Sequence, residues 1–179
     1  MTAFTGLTPG TWTLDASHTA AGFTVRHAGI SKVRGSFSEV EGTLVVSADA
    51  TDLAVDATLR TASITTGNTD RDNHLRSGDF FDAEAFPEIR FVSTAINGDE
   101  VVGDLTIRGT TRSVTLSFSY EGAATDPFGV YRAGFTAETR ISRKDFGLTW
   151  NAALEAGGVL VSDEVRISIE AEFVAPAAS

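Results

Sequence analysis

Cysteine is absent from this chain. That excludes disulfides, thiol catalysis and thiolate metal sites together. Cations are scarce. Fourteen Lys and Arg stand against 24 Asp and Glu, a net charge of −10, and no Lys or Arg precedes Arg26. Binding a phosphate backbone needs basic surface, so the balance argues against a nucleic-acid partner. It argues equally against docking on an anionic bilayer. The first ten residues contain no apolar core, so they read as neither a signal peptide nor a lipoprotein leader, and the expected location is cytoplasmic. No run approaches the roughly eighteen apolar residues of a membrane-spanning helix. P-loop, Gly-x-Gly-x-x-Gly and Gly-x-Ser-x-Gly patterns are all missing. No His-x-x-x-His pair links the three histidines, His18, His27 and His74.

What remains is mostly strand and turn. The 179 residues suit one domain, 1–179, with a core over about 11–174 and short flexible ends. Twelve Phe supply its apolar payload, each worth about 1.5–3 kcal/mol when buried. Phe23 and Val25 alternate with Thr24 and Arg26 in a half-buried strand. Gly35 to Ser47 reads as one long strand, with Gly42 as its bulge or bend. Leu53, Val55, Ala57 and Leu59 share a face. Ile89 and Phe91 open the next strand, and Asn97-Gly98 is the strongest hairpin signal in the chain. Leu105 and Ile107 lie on the return strand. Gly109 to Arg112 reads as a turn into Val114, Leu116, Phe118 and Tyr120. Asp126-Pro-Phe-Gly129 fits a type I turn. Ala133, Phe135, Ala137, Thr139 and Ile141 alternate. Residues 143–161 read as irregular, briefly helical around Asn151–Glu155. Val165, Ile167, Ile169, Ala171 and Phe173 give the cleanest alternation. About eight strands joined mostly by short turns predict an all-β antiparallel sheet, which closes naturally into a barrel and so removes its edges. A sandwich is the alternative. An eight-stranded barrel is filled by its own side chains or holds one ligand.

The stretch Thr65 to Phe81 differs. Thr69 and Asp72 have capping-box spacing, Asp70 and Asp72 suit the positive end of a helix dipole, and Gly78 stands where a C′ glycine belongs. The spacing predicts one short helix, about 68–78, inside a crossover over residues 61–88 that can close a barrel end.

Several residues carry letters of chemistry, each with a plainer reading. Asp15, Ser17 and His18 have the composition of a triad, but they crowd a strand–turn segment where Asp15 suits a turn. Arg71, His74 and Arg76 either form a solvated face with weak local ion pairs or meet a polar head group at a barrel mouth. The histidines read as hydrogen-bonded side chains at element ends rather than metal ligands. Phe80, Phe81 and Phe86 suit a core. Asp145-Phe-Gly147 has the letters of a kinase magnesium motif with none of its other parts, and reads as a turn around a buried Phe. No catalytic or metal residue is therefore assigned.

A set of segments taken together resembles the YceI family of polyisoprenoid-binding, lipocalin-like bacterial proteins. They are Trp12-Thr-Leu-Asp-Ala-Ser-His18, Gly22-Phe-Thr-Val-Arg-His27, Lys32-Val-Arg-Gly-Ser-Phe37 and Ala62-Ser-Ile-Thr-Thr-Gly-Asn68. Arg71-Asp-Asn-His-Leu75, Asp79-Phe-Phe-Asp82, Phe86-Pro-Glu-Ile-Arg-Phe91 and Gly103-Asp-Leu-Thr-Ile-Arg-Gly-Thr-Thr-Arg112 follow. Ala133-Gly-Phe135 and Arg143-Lys-Asp-Phe-Gly147 complete the series. The resemblance implies a lipocalin-like barrel with an apolar tunnel for a long prenyl chain, as in a polyprenyl pyrophosphate or a prenylated quinone. It also implies a homodimer, and it brings no catalytic residues. The expected function is that of a soluble, non-enzymatic carrier or store. The alternatives are an enzyme acting on an isoprenoid, or a packed barrel that serves in stress or interaction. Alternation nominates the walls of the tunnel: Phe23, Val25, Phe37, Leu59, Phe91, Leu105, Ile107, Leu116, Phe118, Phe135, Ile167 and Ile169. His27, Arg71 and His74 are the head-group candidates.

Overall fold

The computed structural model describes residues 4–155 and 157–177. Its strands are β1 (Gly10–Leu14), β2 (Ala20–His27), β3 (Ser31–Phe37), β4 (Val40–Val46), β5 (Leu53–Arg60) and β6 (Ile64–Thr65). After the helix α1 (Thr69–Arg76) come β7 (Glu88–Asn97), β8 (Glu100–Ile107), β9 (Thr110–Thr125), β10 (Tyr131–Ser142) and β11 (Val161–Val174). Every pairing is antiparallel, and β1 bonds to β4 on one side and to β11 on the other, which closes the ring. Three barrel strands are broken by bends. β1 with β2, β3 with β4, and β5 with β6 each act as one strand, and with β7 to β11 they make an eight-stranded barrel. The sandwich is thereby ruled out.

The first bend explains the triad letters. Asp15 caps a short 3₁₀ turn at Ala16–His18 by accepting from the Ser17 N–H. The Ser17 hydroxyl lies 2.7 Å from Asp15 Oδ1 and 3.1 Å from His18 Nδ1, and that same ring nitrogen lies 3.0 Å from Asp15 Oδ2. Serine and aspartate therefore meet one nitrogen, whereas a relay needs them on opposite ones. Arg132 ties this turn to Asp126 and Glu172. Ser17, His18 and Arg132 hold the Asp15 carboxyl far below its ordinary value of 3.8, and Arg132 with two backbone N–H groups lowers Asp126. Lowered carboxyl values stabilise the fold above the unfolded value, and that contribution disappears as pH falls through the folded values. Acid unfolding followed by circular dichroism should therefore steepen below about pH 4, the ordinary carboxylate range. Arg132→Gln should flatten that limb while leaving the neutral-pH spectrum unchanged. An unaltered acid limb would show that the network adds nothing to stability.

The second bend falls at Ser38–Glu39 rather than at Gly42. Gly42 is needed for close approach: a Cβ there would stand 2.7 Å from the Asp56 carbonyl oxygen on β5. Asn97-Gly98 does mark a hairpin, with Asn97 as the last strand residue and Gly98-Asp99 between the strands. The next turn is Arg108-Gly109, not Gly109 to Arg112. Both residues have positive φ, 48° and 73°, as a two-residue type I′ hairpin requires. Residues 151–155 form no helix. An isolated bridge pairs Ala153 with Val159 instead.

The crossover helix starts as its polar cluster predicts but with other partners. Asn68, not Thr69, is the N-cap, and its side chain accepts from the Arg71 N–H. Asp72 is buried and turns back to accept from both the N–H and the hydroxyl of Thr66. Gly78 is not left-handed, and the helix ends at Ser77 in extended backbone. Arg76 donates to the carbonyls of Ala62 and Ile64, fastening the helix to the otherwise open edge at β6.

Candidate functional site

Alternation sends one side of every strand inward, yet the inward side chains do not meet in the middle. A cavity of about 310 Å³ runs between two separate apolar clusters. This is within the range of small-molecule pockets. Its lining is almost wholly aliphatic and aromatic, with Thr19, Thr136, Thr139 and Arg143 among the few polar members. The hollow leaves a mark in accessibility. Phe23, Leu59, Phe91, Phe118, Phe135 and Ile167 point inward but remain only half-buried, because their free surface faces the cavity.

All twelve wall residues nominated from alternation line this cavity. The three polar nominations do not. His27 is exposed at the end of β2. Arg71 spends its guanidinium on Thr66, with Nε 2.7 Å from the hydroxyl and Nη2 2.9 Å from the carbonyl. His74 bonds Asp79 at 2.8 Å and packs edge-on against Trp150 and Phe80, with centroids 4.7 and 5.1 Å away. Local partners thus hold Arg71 and His74 on the helix, while His27 stands outside the cavity at the strand end.

Each barrel end is closed by chain that alternation does not describe. At one end Leu75, Phe80 and Phe81 from the crossover meet Phe146 and Leu148. Phe80 and Phe81 are thus wall as well as core, whereas Phe86 instead packs over Gly109. Asp145-Phe-Gly147 is a 3₁₀ turn ended by left-handed Gly147, with Phe146 buried. At the other end residues 4–8 pack against the barrel. Leu7 is buried, Phe4 packs against Tyr120 and Phe118, and the hydroxyls of Tyr120 and Tyr131 donate to the carbonyls of Thr5 and Gly6, each at 2.6 Å.

The residue that sequence reasoning missed is Arg143, 4% exposed at the cavity edge. Its Nη1 donates to the carbonyls of Leu148 at 2.6 Å and Trp150 at 2.9 Å. Nε reaches Ser162 at 2.8 Å and Nη2 reaches Val161 at 3.2 Å. Burial lowers its pKa, opposed by the nearby Asp163 charge, but an arginine starts too high to lose its proton at neutral pH. One guanidinium therefore shapes the 143–162 closure. The signal available was the Arg143-Lys144 pair just past the apolar-alternating run that ends at Ile141, of which Arg143 comes first.

A profile described as a YceI-like domain matches residues 12–173. A UPF0312 protein of Staphylococcus aureus (strain MSSA476) is 38% identical over 166 residues, covering 90% of this chain and 96% of its own. Among solved structures, a Campylobacter jejuni YceI protein is 28% identical with TM-score 0.71, covering 85% of this chain and 90% of its own. Burkholderia cenocepacia BcnA shares the fold at 22% identity and TM-score 0.76, covering 89% of this chain and 98% of its own. A domain from Saccharophagus degradans, described as polyisoprenoid-binding, does so at 14% and 0.71, covering 92% and 98%.

Proposed function

Because the chain belongs to the YceI-like domain family, we propose that its barrel binds a long-chain isoprenoid or a similar amphiphilic lipid, as a carrier or store. The observation that carries this reading is the apolar hollow between the two end closures. An apolar cavity of about 150 Å³ stays dry and takes up apolar guests, and this one has twice that volume. A polyprenyl chain of some forty carbons, at about −0.3 kcal/mol per heavy atom, would bind with roughly −12 kcal/mol, or nanomolar affinity. Apolar contact suffices for that, and no catalytic group is required. The description of the Saccharophagus degradans domain is consistent with this role; at 14% identity that likeness is one of fold.

The tail would lie along the β2, β9, β10 and β11 walls, from Phe23 and Ile167 to Phe118 and Phe135. The head group would be a pyrophosphate or a quinone ring. The test is native mass spectrometry of protein purified from its own host, followed by organic extraction. Excess mass released as a discrete prenyl lipid is the expected result. An apo mass, together with failure to take up an added polyprenyl phosphate or prenylquinone, would overturn the reading. Light scattering on the same preparation tests the homodimer that accompanies it.

A further inference from the structure

The acidic net charge conceals a basic face. On the outer side of β3, β2, β11 and β10, Arg34, Thr24, Arg166 and Arg140 stand in direct cross-strand register as one row. Lys32 pairs with Arg26 in the next row toward the β2–β3 tip. All five cations line one shallow groove. Like charges directly opposite one another in a sheet normally destabilise it. Arg140 and Arg166 are relieved by Glu164 and Glu138, whereas Arg26, Lys32 and Arg34 form no ion pair among the described residues.

Beyond these cations the hairpin ends in Ala28-Gly29-Ile30, and Ile30 is 85% exposed. The 151–160 loop lies beside that tip, joined by the Ala28 N–H to the Leu160 carbonyl, and it adds Val159, 52% exposed. Glu155 is the exposed carboxylate of this loop. Phe128 is as exposed as Ile30, but it sits in the turn of Asp126, and Arg132, which pairs with that carboxylate, also pairs with Asp15 and Glu172.

We propose that the β2–β3 hairpin docks this protein on an anionic phospholipid bilayer. Ile30 and Val159 enter the interface, and Arg26, Lys32 and Arg34, backed by Arg140 and Arg166, engage the head groups. Apolar tips ringed by cations are the pattern that interfacial binding uses, with apolar burial and electrostatic attraction adding. The net charge of −10 does not oppose it, because salt screens the remote carboxylates beyond about 8–10 Å. The patch also lies at the barrel end closed by α1 and the Arg143 loop, so docking brings that closure to the bilayer. No occupant of the cavity is needed, and vesicle binding stands or falls separately from lipid retention.

The test is co-sedimentation with vesicles of phosphatidylcholine containing phosphatidylglycerol, against pure phosphatidylcholine. The wild-type chain is expected to bind only the anionic vesicles and to leave them as salt rises. Each cation contributes about fivefold near such a surface, so Arg26→Glu, Lys32→Glu and Arg34→Glu together should lower partitioning by at least about 100-fold. Ile30→Asp alone should also release the protein. A charge-matched control on another face, Arg60→Glu with Arg90→Glu and Arg112→Glu, should keep binding, and near-UV circular dichroism verifies folding of each variant. The proposal is overturned if the wild type ignores anionic vesicles, if the triple variant binds as tightly, or if the control fails equally. Concentration-dependent self-association lost in the triple variant, with no vesicle binding, would assign the face to a second copy instead.

Discussion

Phe135→Asp is expected to empty the barrel. Phe135 lies on the cavity wall, 5.1 Å from the Tyr120 ring and 5.9 Å from Phe173 between centroids. A carboxylate there would face an apolar hollow, where an unpaired ion costs several kcal/mol even after relaxation. A bound prenyl chain would cover it completely, whereas in the empty barrel the new charge would draw in water that the apolar wild-type cavity excludes. The cost therefore falls mainly on the lipid-bound state, and retention should drop by about 100-fold or more, as 1.4 kcal/mol is tenfold. Phe118→Asp should behave alike. A second variant separates loss of lipid from loss of fold. Ala137 also lines the hollow, and Ala137→Phe should fill it, raising the stability of the empty protein by about 0.5–2 kcal/mol while reducing lipid uptake. Extraction and quantification of lipid from each folded variant is the measurement. Unchanged lipid in folded Phe135→Asp and Ala137→Phe would remove this wall from the binding site.

Arg143→Leu should be the most destabilising single change at the closure. It removes the donors that serve four carbonyl groups. A buried acceptor left without a partner costs about 1–3 kcal/mol. Entry of water would satisfy some of them, so the expected loss is about 3–5 kcal/mol, as when a buried charged network is broken. Arg143→Lys keeps the charge but offers three donors from one point instead of a planar fork. It should recover less than half of the loss. Urea unfolding gives the stability. The fluorescence of Trp150, whose carbonyl Arg143 holds and whose ring packs on His74, reports the local closure. A loss below about 1 kcal/mol, within the usual range for one hydrogen bond, would mean that the backbone bond from Leu148 N–H to Arg143 carbonyl holds the turn.

Much of this could be read before any coordinates. Period-two alternation placed Phe118, Phe135, Ile167 and nine others on the inward face, because the side a strand presents is set by parity alone. Short turns made the sheet antiparallel, and the polar cluster at Asn68–Asp72 marked the crossover helix. Turn registers were less legible. Arg108 takes a positive φ that its residue type does not announce, and its guanidinium reaches the Phe80 carbonyl across the barrel end. Asp72 left a capping role for Thr66 because a buried carboxylate needs two donors more than a helix end needs one acceptor.

The sequence by itself determined the antiparallel strands, the inward residues and the family, all of which depend on order along the chain. Only the tertiary structure decided that the interior is hollow, that Arg143 is its buried keystone, that His27, Arg71 and His74 stand away from the cavity, and that five cations share one outer face. Those are relations between residues far apart in the chain. Whether facing side chains touch, which carbonyls converge on a guanidinium and which charges become neighbours all depend on barrel radius and register, and composition averages over both.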